Sequence, residues 1–250
     1  MASSVTPLGE RTRVIEDAAA RPLASPATLA RVDALFERER ARRPGTLHDG
    51  KLFSVSEVAP GALRGWFADY RWWVAQRVDA SLAAELRVRP LAVTGLVRAE
   101  GMLLFGQRSD RVFEGAGRWE LAPSGGVGTE ARDPSGELSL VRQALLELQE
   151  EIGLAPDQVT SARALALVAH EASAVLEVCV ELRLGLSRAS FARHTASTAS
   201  DEYAALACVD ESALASWVGE AGDALDPMSR TLLESVGLLH RAPGAPEARP

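Results

Sequence analysis

At 250 residues, with 47% hydrophobic side chains, the chain can build one full core of about 140–160 residues plus a smaller appended unit. A net charge of −7 and a pI near 5.3 exclude an electrostatic grip on a nucleic-acid backbone, so any phosphate-bearing ligand must be met by a local cluster or a metal. No apolar run approaches the ~18 residues of a membrane span, and MASSVTPLGERTRVIEDAAARP carries charges where a signal peptide needs its apolar stretch. A soluble, cytoplasmic protein without a membrane partner is expected.

Residues 1–25 are polar, contain prolines and show no period, which predicts a mobile segment. Residues 26–89 read as a mainly helical extension. Between Ala27 and Arg43, the spacing of Leu29, Val32, Leu35 and Phe36 predicts a one-faced helix that stops at Pro44-Gly45, its Arg/Glu-rich half forming a solvated face. Leu52-Phe53-Ser54-Val55 reads as a short strand broken by Pro60-Gly61. Trp66, Phe67, Tyr70, Trp73 and Val74 then recur at three- and four-residue intervals and predict a helix, followed by a second helical piece from Ala80 to Leu86. Trp66 and Trp73 share the apolar stripe and should pack, while Tyr70 and Trp72 remain open as a platform for a ligand ring.

The main domain is predicted over residues 90–240. It opens with a strand pair, Leu91–Arg98 and Met102–Phe105, turning at Glu100-Gly101. Pro123-Ser124-Gly125-Gly126 can turn tightly and let backbone approach a metal and an anionic ligand. Val141, Leu145, Leu148 and Ile152 recur at helical spacing, and Gly153 supplies a left-handed stop. On that helix Glu147 precedes Glu150 by three residues and Glu151 by four, a stack of like charges that repels unless a cation sits among them.

Downstream, Ala164–His170 reads as a buried strand. Ala174–Leu184 alternates, with Leu176, Val178, Val180, Leu182 and Leu184 on one side and Glu177, Cys179, Glu181 and Arg183 on the other. The Ser/Thr/Ala-rich stretch from Ser187 to Ser200, with His194 inside it, reads as a lid or a bridging loop. A strand over Ala205–Val209 and a helix from Pro227 to Leu239, capped by Asp226, complete the domain. Residues 241–250 form a Pro-bearing tail, predicted flexible. Cys179 and Cys208 lack metal-type spacing and read as ordinary thiols of a reducing compartment.

Gly126, Glu147, Leu148, Glu150, Glu151, Gly153 and Leu154, behind the stretch Trp119-Glu120-Leu121-Ala122-Pro123-Ser124-Gly125, match in type and order the Nudix box. The segment therefore resembles the Nudix hydrolases. It departs from the pattern twice. Gly126 and Glu147 are 21 positions apart where the pattern has 15, and Ser139, eight before Glu147, keeps the helix in register so that the surplus lies in the loop. Glu137 then stands one residue too far from the helix to match the loop carboxylate, and Leu146 occupies the place of the box arginine.

The resemblance implies an α/β protein, an α/β/α sandwich around a mixed sheet, that hydrolyses a nucleoside diphosphate linked to another moiety with Mg²⁺ or Mn²⁺. Glu150 and Glu151 would be metal ligands, Glu147 a third ligand or the catalytic base, and Gly125 and Gly126 would bring backbone oxygen close to the ion. By the same resemblance Arg108 faces the substrate phosphates or else makes a surface ion pair. Glu202 is a fourth carboxylate acting on metal or water, or else a cap or surface acid, and His170 is a candidate substrate contact. The layout of the extension resembles that of Nudix proteins that hydrolyse UDP-sugars, which suggests a nucleotide sugar. The expected partners are a small phosphorylated substrate, no nucleic acid, and at most a second copy in a homodimer. Two alternatives stay open: a degenerate domain that binds such a ligand without cutting it, in keeping with Leu146 and the long loop, and isomerase chemistry on a prenyl diphosphate, for which no Cys stands at a matching loop.

Overall fold

A computed structural model describes residues 3–9, 12–45, 47–170, 174–198 and 200–240, with Ser3 and His170 described by backbone alone. The predicted tail, 241–250, lies outside the described residues. The chain begins with β1 (Ser3–Pro7) and β2 (Arg13–Glu16), followed by α1 (Pro26–Arg42), whose N-cap Ser25 accepts from the Thr28 amide at 3.1 Å. The hairpin β3 (Lys51–Ala59) and β4 (Ala62–Asp69) leads into α2 (Tyr70–Val78) and α3 (Ala83–Leu86). The main domain comprises β5 (Leu91–Ala99), β6 (Met102–Arg108), β7 (Trp119–Leu121), β8 (Ser124–Gly126), α4 (Leu140–Ile152), β9 (Val159–His170), β10 (Leu176–Leu184), α5 (Arg188–Ser197), β11 (Tyr203–Asp210), α6 (Leu214–Ala221) and α7 (Pro227–Ser235).

The larger sheet runs β1-β9-β10-β5-β6-β11, with β7 on β6 and β8 on β5. It is mixed, because β5 and β10 are parallel and the other pairs antiparallel. Both faces of its central strands are covered. Leu176, Val178, Val180 and Leu182 pack toward α4, while Cys179, Leu96 and Phe105 pack toward α6 and α7. That is an α/β/α sandwich, as the resemblance implied. No described helix is long and apolar enough to cross a membrane.

Three expectations need correction. The segment expected to be mobile is paired: β1 lies antiparallel to β9, with Pro7 opposite Ala166, and β2 runs parallel to β4. An edge strand's unpaired N–H and C=O groups accept a neighbour whatever its side chains, so five residues without a period can still form a strand.

The second concerns Trp66 and Phe67, which belong to β4 and not to a helix. Gly61 at φ +72° makes the hairpin turn. Gly65 lets β4 pass so close to β3 that a Cβ there would overlap the Ser54 carbonyl oxygen. The extension therefore carries a three-stranded sheet, β2-β4-β3, besides its helices. The third is the Ser187–Ser200 stretch, whose larger part is helix α5. Its N-cap Ser187 accepts from Ser190, and the His194 ring lies 2.7 Å from the Ile152 carbonyl oxygen, tying the helix to the end of α4.

The surplus residues of the box loop fold on themselves. Asp133 Oδ1 accepts from the amides of Ser135 (2.8 Å) and Glu137 (3.1 Å), and Gly136 takes φ +88°. Glu137 meets Arg13 of β2 at 2.7 Å, and Arg132 pairs with Glu16. The insertion thus docks the N-terminal extension and leaves the helix behind it in register.

Candidate active site

Helix α4 is capped as its sequence demands: the Ser139 side chain accepts from the Arg142 amide at 3.2 Å, and Gly153 ends the helix at φ +74°. Its buried stripe is Leu140, Ala144, Leu148 and Ile152, with Val141 and Leu145 at the margin. Each large side chain buried there contributes roughly 1.5–3 kcal/mol. That stripe fixes the rotation of the helix and turns Glu147 and Glu151, four apart, toward β8.

The Glu147 carboxylate accepts from Gln143 Nε2 at 2.7 Å and lies where a Cβ of residue 125 would be, so any side chain at Gly125 would displace that carboxylate. Glu151 Oε2 accepts from the Ser124 amide and from the Tyr203 hydroxyl, both at 3.1 Å. The same hydroxyl lies 3.1 Å from Glu120 Oε1, so one phenolic proton is shared between two carboxylates. Arg108, at the end of β6, reaches Glu120 at 2.6 Å with one terminal nitrogen and Glu202 at 2.8 Å with the other, while its Nε donates to the Glu114 carbonyl at 3.0 Å.

These groups line a cavity of about 770 Å³. Its wall carries seven acids, Glu114, Glu120, Glu147, Glu151, Glu177, Glu202 and Asp226, against the two bases Lys51 and Arg108. Burial pushes Glu147 up to about 7, its hydrogen bond from Gln143 opposing and the charges of Glu150, Glu130 and Glu202 reinforcing. Burial and the nearby Glu147 and Glu202 charges hold Glu151 well above the usual carboxylate range. Glu120 is raised by burial to about 7 against the pull of Arg108, and Glu177, bonded by the Thr94 hydroxyl, to about 8. A bound cation reverses that trend, because it favours the ionised form of every acid around it.

The donor set fits a hard divalent ion. Glu147 and Glu151 offer carboxylate oxygens from one helix face, and among the described residues no basic side chain is bonded to either. Among the described residues no three acids, histidines or cysteines are already drawn together as a ligand set, so this pair is the nucleus and water or substrate oxygens would complete the shell.

Of the other residues singled out from the sequence, Gly125, Gly126, Glu202, Arg108 and Tyr70 all border this cavity. Glu150 does not. It is exposed, since it lies about 100° around the helix from Glu151. Trp72 is likewise turned away: it is 5% exposed, edge-on to Trp66 at 5.8 Å, with the Arg21 guanidinium 4.9 Å over its ring, and Trp73 lines the cavity instead. The two are adjacent in the helix, and the turn between them is what sets Trp73 and not Trp72 at the cavity. His170 closes β9, and its side chain lies outside the described residues. Sequence reasoning missed Glu120, Tyr203 and Glu177 as site residues. Each interrupts or begins an apolar strand, and an acid at such a position was the available signal.

No protein-family model matches the chain, and no curated protein matches it. Solved structures with a similar course include DR0079 of Deinococcus radiodurans, 16% identical over 74% of this chain and 98% of that one, with a TM-score of 0.46. A MutT Nudix hydrolase of Burkholderia pseudomallei is 23% identical over 59% and 97%, with a TM-score of 0.37. A bifunctional NMN adenylyltransferase/ADP-ribose pyrophosphatase of Francisella tularensis is 15% identical over 68% and 46%, with a TM-score of 0.46, and has also been solved with AMP and a Mn ion. With the box glycine on β8, the Ser139-capped helix carrying Glu147 and Glu151 beside it, and a mixed sheet between two helical layers, this chain has the α/β/α layout that the Nudix resemblance implied.

Proposed function

We propose that the protein is a metal-dependent pyrophosphohydrolase that cleaves a nucleoside diphosphate linked to another moiety, a nucleotide sugar being the substrate class that suits the site best. The observation that carries this reading is the pair Glu147 and Glu151, two acids set against Gly125 and Ser124 in a cavity where, among the described residues, Lys51 and Arg108 are the lysine and arginine side chains present. Such a pair is costly to bury unless a cation discharges it. Mg²⁺ or Mn²⁺ would neutralise bridging phosphate oxygens and make a bound water a better nucleophile.

The chain's own residues supply the rest. Arg108, whose pKa its acid partners raise, stays charged and offers its guanidinium to a phosphate. Glu202, 2.8 Å from Arg108, orients that guanidinium and, on the wall of the same cavity, would serve to take a proton from water. Glu147, bonded through one carboxylate oxygen by Gln143, serves as ligand or base. Tyr203 holds Glu151 and Glu120 in place. Binding without cleavage is the second reading, favoured by the exposed Glu150 and by Leu146.

Purified protein with Mg²⁺ or Mn²⁺, offered nucleotide sugars, dinucleotides and nucleoside triphosphates, should release product that a phosphatase converts to inorganic phosphate. Turnover of none of them, together with metal-dependent binding of one, would leave the binding reading in place.

A further inference from the structure

Beside the box cavity lies a second one, of about 800 Å³. His48, Tyr70, Arg108, Glu114 and Glu202 belong to the lining of both, so a single layer of side chains separates them. Arg108 stands in that layer, with one terminal nitrogen on Glu120 and the other on Glu202. The walls differ in character. The box cavity is strongly acidic, whereas here Arg42, Arg43, Arg108 and Arg111 balance Asp110, Glu114, Asp201 and Glu202. The second cavity also has an aromatic wall. Phe113, on the loop between β6 and β7, packs with Tyr70 against Phe36, Leu47 and Val74, and the Arg43 guanidinium lies 5.1 Å over its ring.

We infer that this second cavity is the nucleobase subsite: a nucleoside diphosphate derivative would lie with its diphosphate at Arg108, its base against Phe113 and Tyr70, and its linked moiety in the acidic cavity. The inference rests on the diphosphate reading above for the position of the phosphates. A flat, weakly polar ring suits a charge-balanced aromatic wall, and a polyol with phosphates suits the acidic one once a cation is bound. Tyr70, raised by burial to about 12, remains a hydrogen-bond donor at neutral pH, while Glu114 and Glu202 offer acceptors for ring N–H groups. The subsite also gives the extension a task, since the end of α1, the segment at Leu47-His48 and Tyr70 close a space that the Nudix domain leaves open.

The test is equilibrium binding to the full chain in EDTA, with AMP and UMP as base-bearing probes and ribose 5-phosphate as the base-free one. At least one nucleotide should bind tenfold or more tightly than ribose 5-phosphate, the scale of one stacked base. Phe113→Ala and the better-packed Phe113→Leu should both remove that preference, Phe113→Tyr should keep it, and Glu151→Gln should keep it while losing turnover. Equal binding of all three probes by the wild type, or a preference that survives both Phe113→Ala and Phe113→Leu, would overturn the subsite. Failure of the hydrolase reading is separate: it would appear as a base preference intact in a protein that turns over nothing. Equal turnover of base-bearing and base-free diphosphates would sink the subsite and spare the hydrolase.

Discussion

Two groups of acids share the same mixed sheet and are treated oppositely by the fold. On β10, Glu181 is 2% exposed yet its pKa is lowered, because Arg183 (2.8 Å), Arg163 (3.0 Å) and Arg98 (3.0 Å) all donate to it and overcome burial. Near the other end of the sheet Glu147 and Glu151 receive an amide, a carboxamide and a phenol but, among the described residues, no basic side chain, and both are raised. The chain has arginines enough to neutralise a buried acid and does so where the acid only holds structure. An acid left unbalanced beside a cavity marks a place where the missing charge arrives with a ligand.

The largest effect expected from breaking this contrast is on catalysis. Glu151→Gln should lower kcat/KM roughly 100-fold or more, because even outer partners of a metal ligand are worth ~10–100-fold. Its metal-free stability should hold or rise, since an acid whose ionised form burial and neighbouring carboxylates disfavour is replaced by a neutral amide of the same shape. Millimolar Mg²⁺ should raise the Tm of the wild type and not of the variant. Equal shifts in both would remove the metal from this site.

Glu181→Ala should do the reverse. It takes a shared partner from Arg163 and Arg183 and leaves Arg98 with Glu211, and it should destabilise by about 2 kcal/mol, a figure reduced from the cost of a fully buried pair because Arg163 and Arg183 are half exposed. Urea unfolding would measure it, with kcat unchanged per folded molecule. A kcat loss larger than the loss of folded protein would make Glu181 part of the site.

A third change sharpens the contrast through pH. Glu177 is raised from its ordinary 4.5 to about 8, so the folded state binds its proton more tightly than the unfolded one. The stability it contributes is therefore present below pH ~4.5 and lost as pH rises through about 8. Glu177→Gln should flatten the stability profile across that window and gain on the order of 2 kcal/mol at its upper end. Parallel profiles for variant and wild type would mean that Glu177 titrates alike in both states.

The smallest effect is expected at Leu146, which is only partly buried and belongs to no core cluster. Leu146→Arg should change stability by less than about 0.5 kcal/mol. A gain in kcat would show that the arginine of the box pattern braces Glu147 or Glu150 here as well.

Much of α4 and its surroundings could be read from the chain alone. Ser139, the apolar stripe and Gly153 define a helix through local rules, and the spacing from Glu147 to Glu151 follows from helix geometry, so those positions were legible. The alternation in β10 was legible for the same reason, since side-chain direction in a strand repeats every two residues. Where local signals compete, the reading failed: Trp66 and Phe67 satisfy a helical period, and only the close passage of Gly65 over Ser54 makes that stretch a strand. β1 carries no pattern of its own and is a strand because β9 had an edge to offer.

By itself, then, the sequence determined the capped acidic helix, the glycine turn before it and the alternating strands of the core, because each rests on interactions within a few residues. Tertiary structure decided which acids became a site. It brought Glu120, Tyr203 and Arg108 from separate strands onto Glu151 and Glu202, turned Glu150 to solvent and Trp72 into the core, and set Phe113 beside Tyr70, 43 positions away. Contacts at that separation depend on how whole elements pack, and no local period records them.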